Sequence, residues 1–184
     1  MKRSIEELKD LLHEYLDKGF IKWKKSMIVS HSCSKFQNNF PDLIDRIIVR
    51  TDQIKSLKEI LDQYAPYIEK NGKKVKITDK DVCDLLSMPK GVLDRIRNQL
   101  RVFSAQDKNK IFSIAVCYKL NKSQAKRVLT AAHIVLRPKE LLPDAVFDFV
   151  VSKCEYVDAF EKNIAKFGIL NDEAEKYVKE QLHI

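Results

Sequence analysis

The chain has 184 residues, of which 45% are hydrophobic and 33% charged, with a formal net charge of +8. That balance excludes a disordered chain, and the length suits one domain, or one domain with a helical extension, burying roughly 70% of the unfolded surface. Four glycines and five prolines are too few to turn a many-stranded chain, so the expected fold is all-α, a multi-helix bundle.

In chain order, Ser4-Ile5-Glu6-Glu7 reads as a capping box: the Ser4 hydroxyl accepts from the Glu7 amide while the Glu7 carboxylate reaches back. Ile5, Leu8, Leu11, Leu12 and Tyr15 follow at helical spacing, and Gly19 marks the stop of a first helix over 5–18. Phe20, Ile21, Trp23, Met27, Ile28 and Val29 interleave with Lys22, Lys24 and Lys25. This is either a basic-aromatic nucleic-acid contact or a helix with an aromatic core face and solvated lysines. Ser30 to Ser34 reads as a loop. From Asp42 to Glu69 the apolar residues Leu43, Ile44, Ile47, Ile48, Ile54, Leu57, Ile60, Leu61, Tyr64 and Tyr67 trace a long helical pattern, broken near Thr51 and Pro66. Asn71-Gly72 is a turn and also a hairpin signal, which would make Val75 to Ile77 a short strand.

Thr78 opens a new helix with Asp79 and Asp81 in its first turn. Ser87-Met88-Pro89 connects it to a helix over 89–100, with Ser87 as the cap. A further helix begins near Gln106, and Asn121-Lys122-Ser123-Gln124 starts another over 125–136. Pro138 opens the next. A helix over 156–167 stops at Gly168, and a last amphipathic helix covers 172–182. The organisation expected is an N-terminal helical region, 1–72, and a helical domain, 73–184.

No apolar run approaches the ~18 residues of a membrane span, and the first residues lack the apolar stretch of a signal peptide, so a soluble cytoplasmic protein with no membrane partner is expected. The four cysteines, Cys33, Cys83, Cys117 and Cys154, show no C-x-x-C spacing. Three of them lie in apolar helical patterns as small hydrophobes, and neither zinc nor any cofactor is expected.

The charge is unevenly placed. Between Leu86 and Lys139 stand twelve basic residues, Lys90, Arg95, Arg97, Arg101, Lys108, Lys110, Lys119, Lys122, Lys126, Arg127, Arg137 and Lys139, against Asp94 and Asp107, an excess of ten. The remainder of the chain is close to neutral. A one-sign excess repels itself and points to an anionic partner, most commonly phosphate backbone. The helices over 79–86 and 89–100, joined by about three residues, have helix-turn-helix spacing. Val92, Leu93, Ile96 and Leu100 face the core, leaving Lys90, Gly91, Asp94, Arg97, Asn98 and Arg101 outward. Arginine and asparagine are the types that read guanine and adenine edges in the major groove.

The stretch from Thr78 to Gly168 resembles the divergent Cro/CI-repressor-like helix-turn-helix domain of bacterial proteins, often found at the C-terminus of multidomain chains. The residues carrying the likeness are Asp81-Val82-Cys83, Leu93-Asp94-Arg95-Ile96-Arg97-Asn98, Ala115-Val116-Cys117-Tyr118-Lys119-Leu120-Asn121, Ala125 with Val128-Leu129 and Ala132, Asp144 with Phe149-Val150, and Phe160-Glu161-Lys162-Asn163 with Phe167-Gly168. The turn carries no glycine, where such motifs usually have one. The resemblance implies DNA binding, regulation and a dimer matching two half-sites.

Two functions follow as expectations. In the first, the helix over 89–100 enters the major groove of double-stranded DNA. Lys90, Asp94, Arg95, Arg97, Asn98 and Arg101 lie on or beside that helix, and Lys108, Lys110, Lys122, Lys126 and Arg127 flank it on phosphates. In the second, the motif is a scaffold for a protein partner, making the chain an adaptor, accessory subunit or inhibitor of a nucleic-acid-handling complex, as in phage–host conflict. Homodimerisation would use the apolar pattern from Leu43 to Tyr67 or the C-terminal helix with Ala174, Tyr177, Val178 and Leu182. No enzyme is expected: His13, His31, His133 and His183 fall in no catalytic motif, and His133 reads as a partly buried helical imidazole.

Overall fold

The computed structural model describes residues 3–31, 56–98 and 103–184. Of the expected loop over 30–34, Ser30 and His31 are instead helical and 32–34 lie outside that range. So do half of the apolar residues of the pattern that starts at Leu43, those up to Ile54, and Leu100 and Arg101. The described chain is mainly helical, with one two-stranded sheet, as a multi-helix α fold requires.

The helix starts are written locally. Ser4, Ser56, Thr78, Ser104 and Asn121 each accept the amide of the residue three positions on, and the side chains of Glu7, Glu59, Asp81, Asp107 and Gln124 accept the caps' own amides. Each box satisfies two of the amides that a helix start leaves without partners. They open α1 (Ile5–Leu16), α3 (Leu57–Tyr64), α4 (Asp79–Leu85), α6 (Ala105–Cys117) and α7 (Lys122–Ala131); α2 covers Lys22–His31 and α5 covers Lys90–Asn98.

Several boundaries differ from those expected. Gly19 does not end the first helix. It lies in a π-helical turn, Asp17–Ile21, that joins α1 to α2. The extra residue re-registers the chain so that Leu16, Phe20 and Ile21 are all buried. Tyr67 to Glu69 are not helical. Tyr67–Lys70 is β1 and pairs antiparallel with β2, Lys73–Lys76, so the expected strand finds its partner in the segment before the turn. Pro138 lies in a turn. The next helix, α8, is Leu142–Lys153, with Pro143 in its first turn, where a missing amide costs nothing. Gly168 stops nothing either: α9 runs unbroken from Phe160 to Leu182. The glycine is solvent-exposed, while Asn163, Phe167, Leu170, Ala174 and Val178 bury a continuous stripe that outweighs the ~1 kcal/mol helix cost of one glycine.

The core centres on α6 and α8. Ala145, Val146, Phe147, Phe149, Val150 and Val151 are buried around most of α8, and the Phe147 ring stacks on Phe112 of α6 at 4.1 Å between centroids. α1 packs on α8 and α9, and α3 packs on α5 and α7. Residues on both sides of position 72 therefore share one hydrophobic cluster, from Leu8 to Val178. Two buried polar groups tie it together. The Asp144 carboxylate, 1% exposed, accepts from Lys108 Nζ at 2.7 Å and from the Arg137 amide at 2.7 Å. Asn163 exchanges two hydrogen bonds with the Val157 backbone, pinning the loop before α9. Buried polar atoms without such partners would cost about 1–3 kcal/mol each.

Burial pushes the Cys117 thiol up to about 12, and it raises the thiols of Cys83 and Cys154, so all three are protonated at neutral pH. Among the described residues, no helix is long and apolar enough to cross a membrane, and no His/Cys/Asp/Glu group is arranged to hold a metal. Phe20 and Ile21 of the π-helical turn are buried, while on α2 Lys22, Lys25 and Met27 are exposed, Trp23 is half-buried, and Lys24 Nζ lies 5.1 Å from the Trp23 ring and 5.3 Å from that of Phe20.

Candidate nucleic-acid interface

Two helix pairs carry the same turn. At the end of α4, Ser87 has φ 47°, its amide bonds Asp84, and the Met88 amide bonds the Cys83 carbonyl at 2.9 Å. At the end of α6, Lys119 has φ 57°, its amide bonds Val116, and the Leu120 amide bonds the Ala115 carbonyl at 3.0 Å. Both are Schellman stops, in which a left-handed residue reverses the chain and satisfies the last carbonyls. Ser87 is thus the left-handed residue closing α4 rather than the cap opening α5; it fills the place where glycine is usual. α4–α5 and α6–α7 are two successive helix pairs, each joined by such a turn. His133, φ 52°, closes α7 in the same way and is exposed rather than partly buried within a helix.

The two second helices differ in what they offer solvent. On α5, Arg97 is buried. Its guanidinium bonds Asp79 Oδ1 at 2.7 Å and pairs with Asp62 Oδ1, with the side chain only 8% exposed. Arg95 pairs with Asp107. Burial raises that carboxyl, but the Ser104 hydroxyl and amide with Arg95 and Lys110 outweigh it and leave its pKa lowered. Asn98 is exposed, its side-chain amide donating to the Asp94 carbonyl at 2.8 Å, and Lys90 is exposed at the helix start. The expected reading residues Arg95 and Arg97 are therefore committed to structural ion pairs. Lys108, expected on phosphate, is instead the counterion of buried Asp144, and Lys110 is half-buried beside it in sequence on α6.

On α7 the arrangement is the reverse. Ala125, Val128, Leu129 and Ala131 are buried, and Lys122, Ser123, Lys126, Arg127 and Thr130 line the opposite, exposed face. That face is cationic and hydroxylic, with no carboxylate of its own. Lys122 Nζ lies 3.2 Å from Asp148. Arg127 bonds the Tyr64 hydroxyl at 3.3 Å, and neither it nor Lys126 is ion-paired within the described residues.

The local charge excess is thus partly cancelled in space. Asp62, Asp79, Asp144, Asp148, Asp158 and Glu140, all outside the basic stretch, pair with Arg97, Lys108, Lys122, Lys119 and Arg137. Sequence counting missed most of these partners because each contact other than Arg137–Glu140, three residues apart, depends on packing between different elements. The signal that would have favoured α7 over α5 is its capping box with three basic residues following and no acid.

Among the described residues, fold and surface together define a mainly helical protein with two successive helix pairs joined by the same turn, the second of which presents a cationic helix face. Compared with known proteins, the chain matches no family model, no curated protein and no solved structure.

Proposed function

We propose that this chain is a DNA-binding helix-turn-helix protein with a regulatory role, which engages double-stranded DNA through α7. The observation that carries this reading is the solvent face of α7: Lys122, Ser123, Lys126, Arg127 and Thr130 present cations and hydroxyls with no acid among them. Such a face suits a polyanion, since lysine and arginine neutralise phosphates and hydroxyls donate to their oxygens. It also stands on the second helix of its unit, which is the position that enters the major groove in helix-turn-helix proteins. α5 serves as a brace.

Binding to a random-sequence duplex, titrated with salt, tests this. Affinity should fall steeply with salt, and Lys126→Ala and Arg127→Ala should each flatten the log–log slope by about 0.9. No binding at low salt, or two variants indistinguishable from the parent, would overturn it.

One observation favours a protein partner instead. A groove of about 1070 Å³ lies between β1, α4 and the loop before α9, and Glu69, Asp84 and Glu161 line it together with Tyr67, Leu85 and Phe160. Pull-down with nuclease treatment separates the readings, because partners retained after nuclease support the adaptor function.

A further inference from the structure

The hairpin has no evident core function. Every residue of β2 is exposed, and in β1 only Ile68 is even partly covered. A two-stranded hairpin alone is marginal in water, so something other than an apolar face keeps this one ordered. Its turn residues, Asn71 at φ 51° and Gly72 at φ 72°, are both left-handed, the geometry whose twist matches paired strands. It is pinned at its base and again beside its turn. The Ile77 amide bonds the Pro66 carbonyl at 2.9 Å, Lys76 Nζ bonds the Asp62 carbonyl at 2.7 Å, and Lys70 pairs with Asp81.

The result is an exposed arm, tied to α4 at its turn end, whose composition is as one-sided as the α7 face. Residues 67–76 hold Lys70, Lys73, Lys74 and Lys76 against Glu69. Lys70 is taken by Asp81, which leaves Lys73 and Lys74 near the tip and Lys76 at the base. The carboxylate-bearing groove runs along β1, taking all four of its residues but only Lys74 of β2, so Lys73 and Lys76 lie away from those acids. The arm and the α7 face are also bracketed by one helix turn. The end of α3 holds Lys76 through the Asp62 carbonyl and Arg127 through the Tyr64 hydroxyl.

We infer that the β1–β2 hairpin is a wing, which binds the phosphates of duplex DNA flanking the segment that α7 contacts. This rests on the DNA-binding reading above. The ligand is the phosphodiester backbone, because lysines on a strand with no asparagine, glutamine or arginine supply charge but little base discrimination.

The test uses the full chain and a random-sequence duplex, read by fluorescence anisotropy across a series of salt concentrations. Lys73→Ala with Lys76→Ala should make the log–log slope shallower by about 2, and adding Lys74→Ala, whose side chain borders the carboxylates of the groove, should add at most about 0.9 more, at about 0.9 per phosphate contact. Arginine at the same positions should restore the slope. Base preference from a randomised-site selection should be unchanged; the melting temperature should hold for Lys73→Ala, whose side chain is exposed, and fall slightly where Lys76→Ala gives up its bond to the Asp62 carbonyl. A slope equal to the parent's in the double and triple alanine variants, with the parent still binding, overturns the wing and leaves α7 as the contact. A parent that binds no duplex overturns both.

Discussion

Arg97 is where a base-reading role and a structural role make opposite predictions. Its guanidinium, 8% exposed, sits between Asp62 and Asp79, which are 48% and 43% exposed. Removing the arginine leaves two carboxylates that water can reach, so no buried charge is stranded. Arg97→Met, which refills the volume of the stem, should therefore cost only about 1–2 kcal/mol, the worth of charge-assisted hydrogen bonds less resolvation. Removing the carboxylates instead, in Asp62→Asn with Asp79→Asn, leaves a guanidinium buried without a counterion. That should cost about 3–5 kcal/mol. At about 2–4 °C per kcal/mol for a chain of this length, the melting temperature should drop by about 2–8 °C in the first case and about 6–20 °C in the second. Urea denaturation followed by circular dichroism gives the free energies independently. DNA affinity per folded molecule should be unaffected by Arg97→Met. If Arg97→Met instead keeps full stability and abolishes sequence preference, α5 is the reading helix and the assignment to α7 fails.

Asp144→Ala removes the counterion of Lys108 and the acceptor of the Arg137 amide together, and should destabilise by about 3–5 kcal/mol in urea titration, with Asp144→Asn milder because the amide acceptor survives. Ser87→Gly relieves a left-handed conformation that a Cβ disfavours, and should raise stability by about 0.5–1 kcal/mol; a loss of stability would mean that the turn is not held at positive φ in solution.

Helix starts were legible in the sequence because a capping box closes within four residues: Ser4 with Glu7 and Asn121 with Gln124 need nothing beyond their own turn. The stretch from Thr78 to Asp81 shows the same self-sufficiency. The all-helical class followed from the same local grammar and from the scarcity of glycine and proline. Helix ends were less legible. Gly19 and Gly168 carry the local signature of a stop, yet both lie inside continuous helical segments, because a stripe of buried side chains on either side is worth more than the glycine's conformational freedom. Ser87, Lys119 and His133 do the stopping without any glycine at all, each in left-handed geometry just past the end of its helix.

Charge divided in the same way. The sequence alone determined that a basic stretch exists between Leu86 and Lys139. Tertiary structure decided which of those cations are available. Arg97 meets an aspartate 35 positions earlier and Lys108 one 36 positions later, while Lys126 and Arg127 on α7 meet none among the described residues. A hydrogen bond within one turn is set by local backbone geometry, whereas an ion pair between helices exists only once hydrophobic burial has brought those helices together.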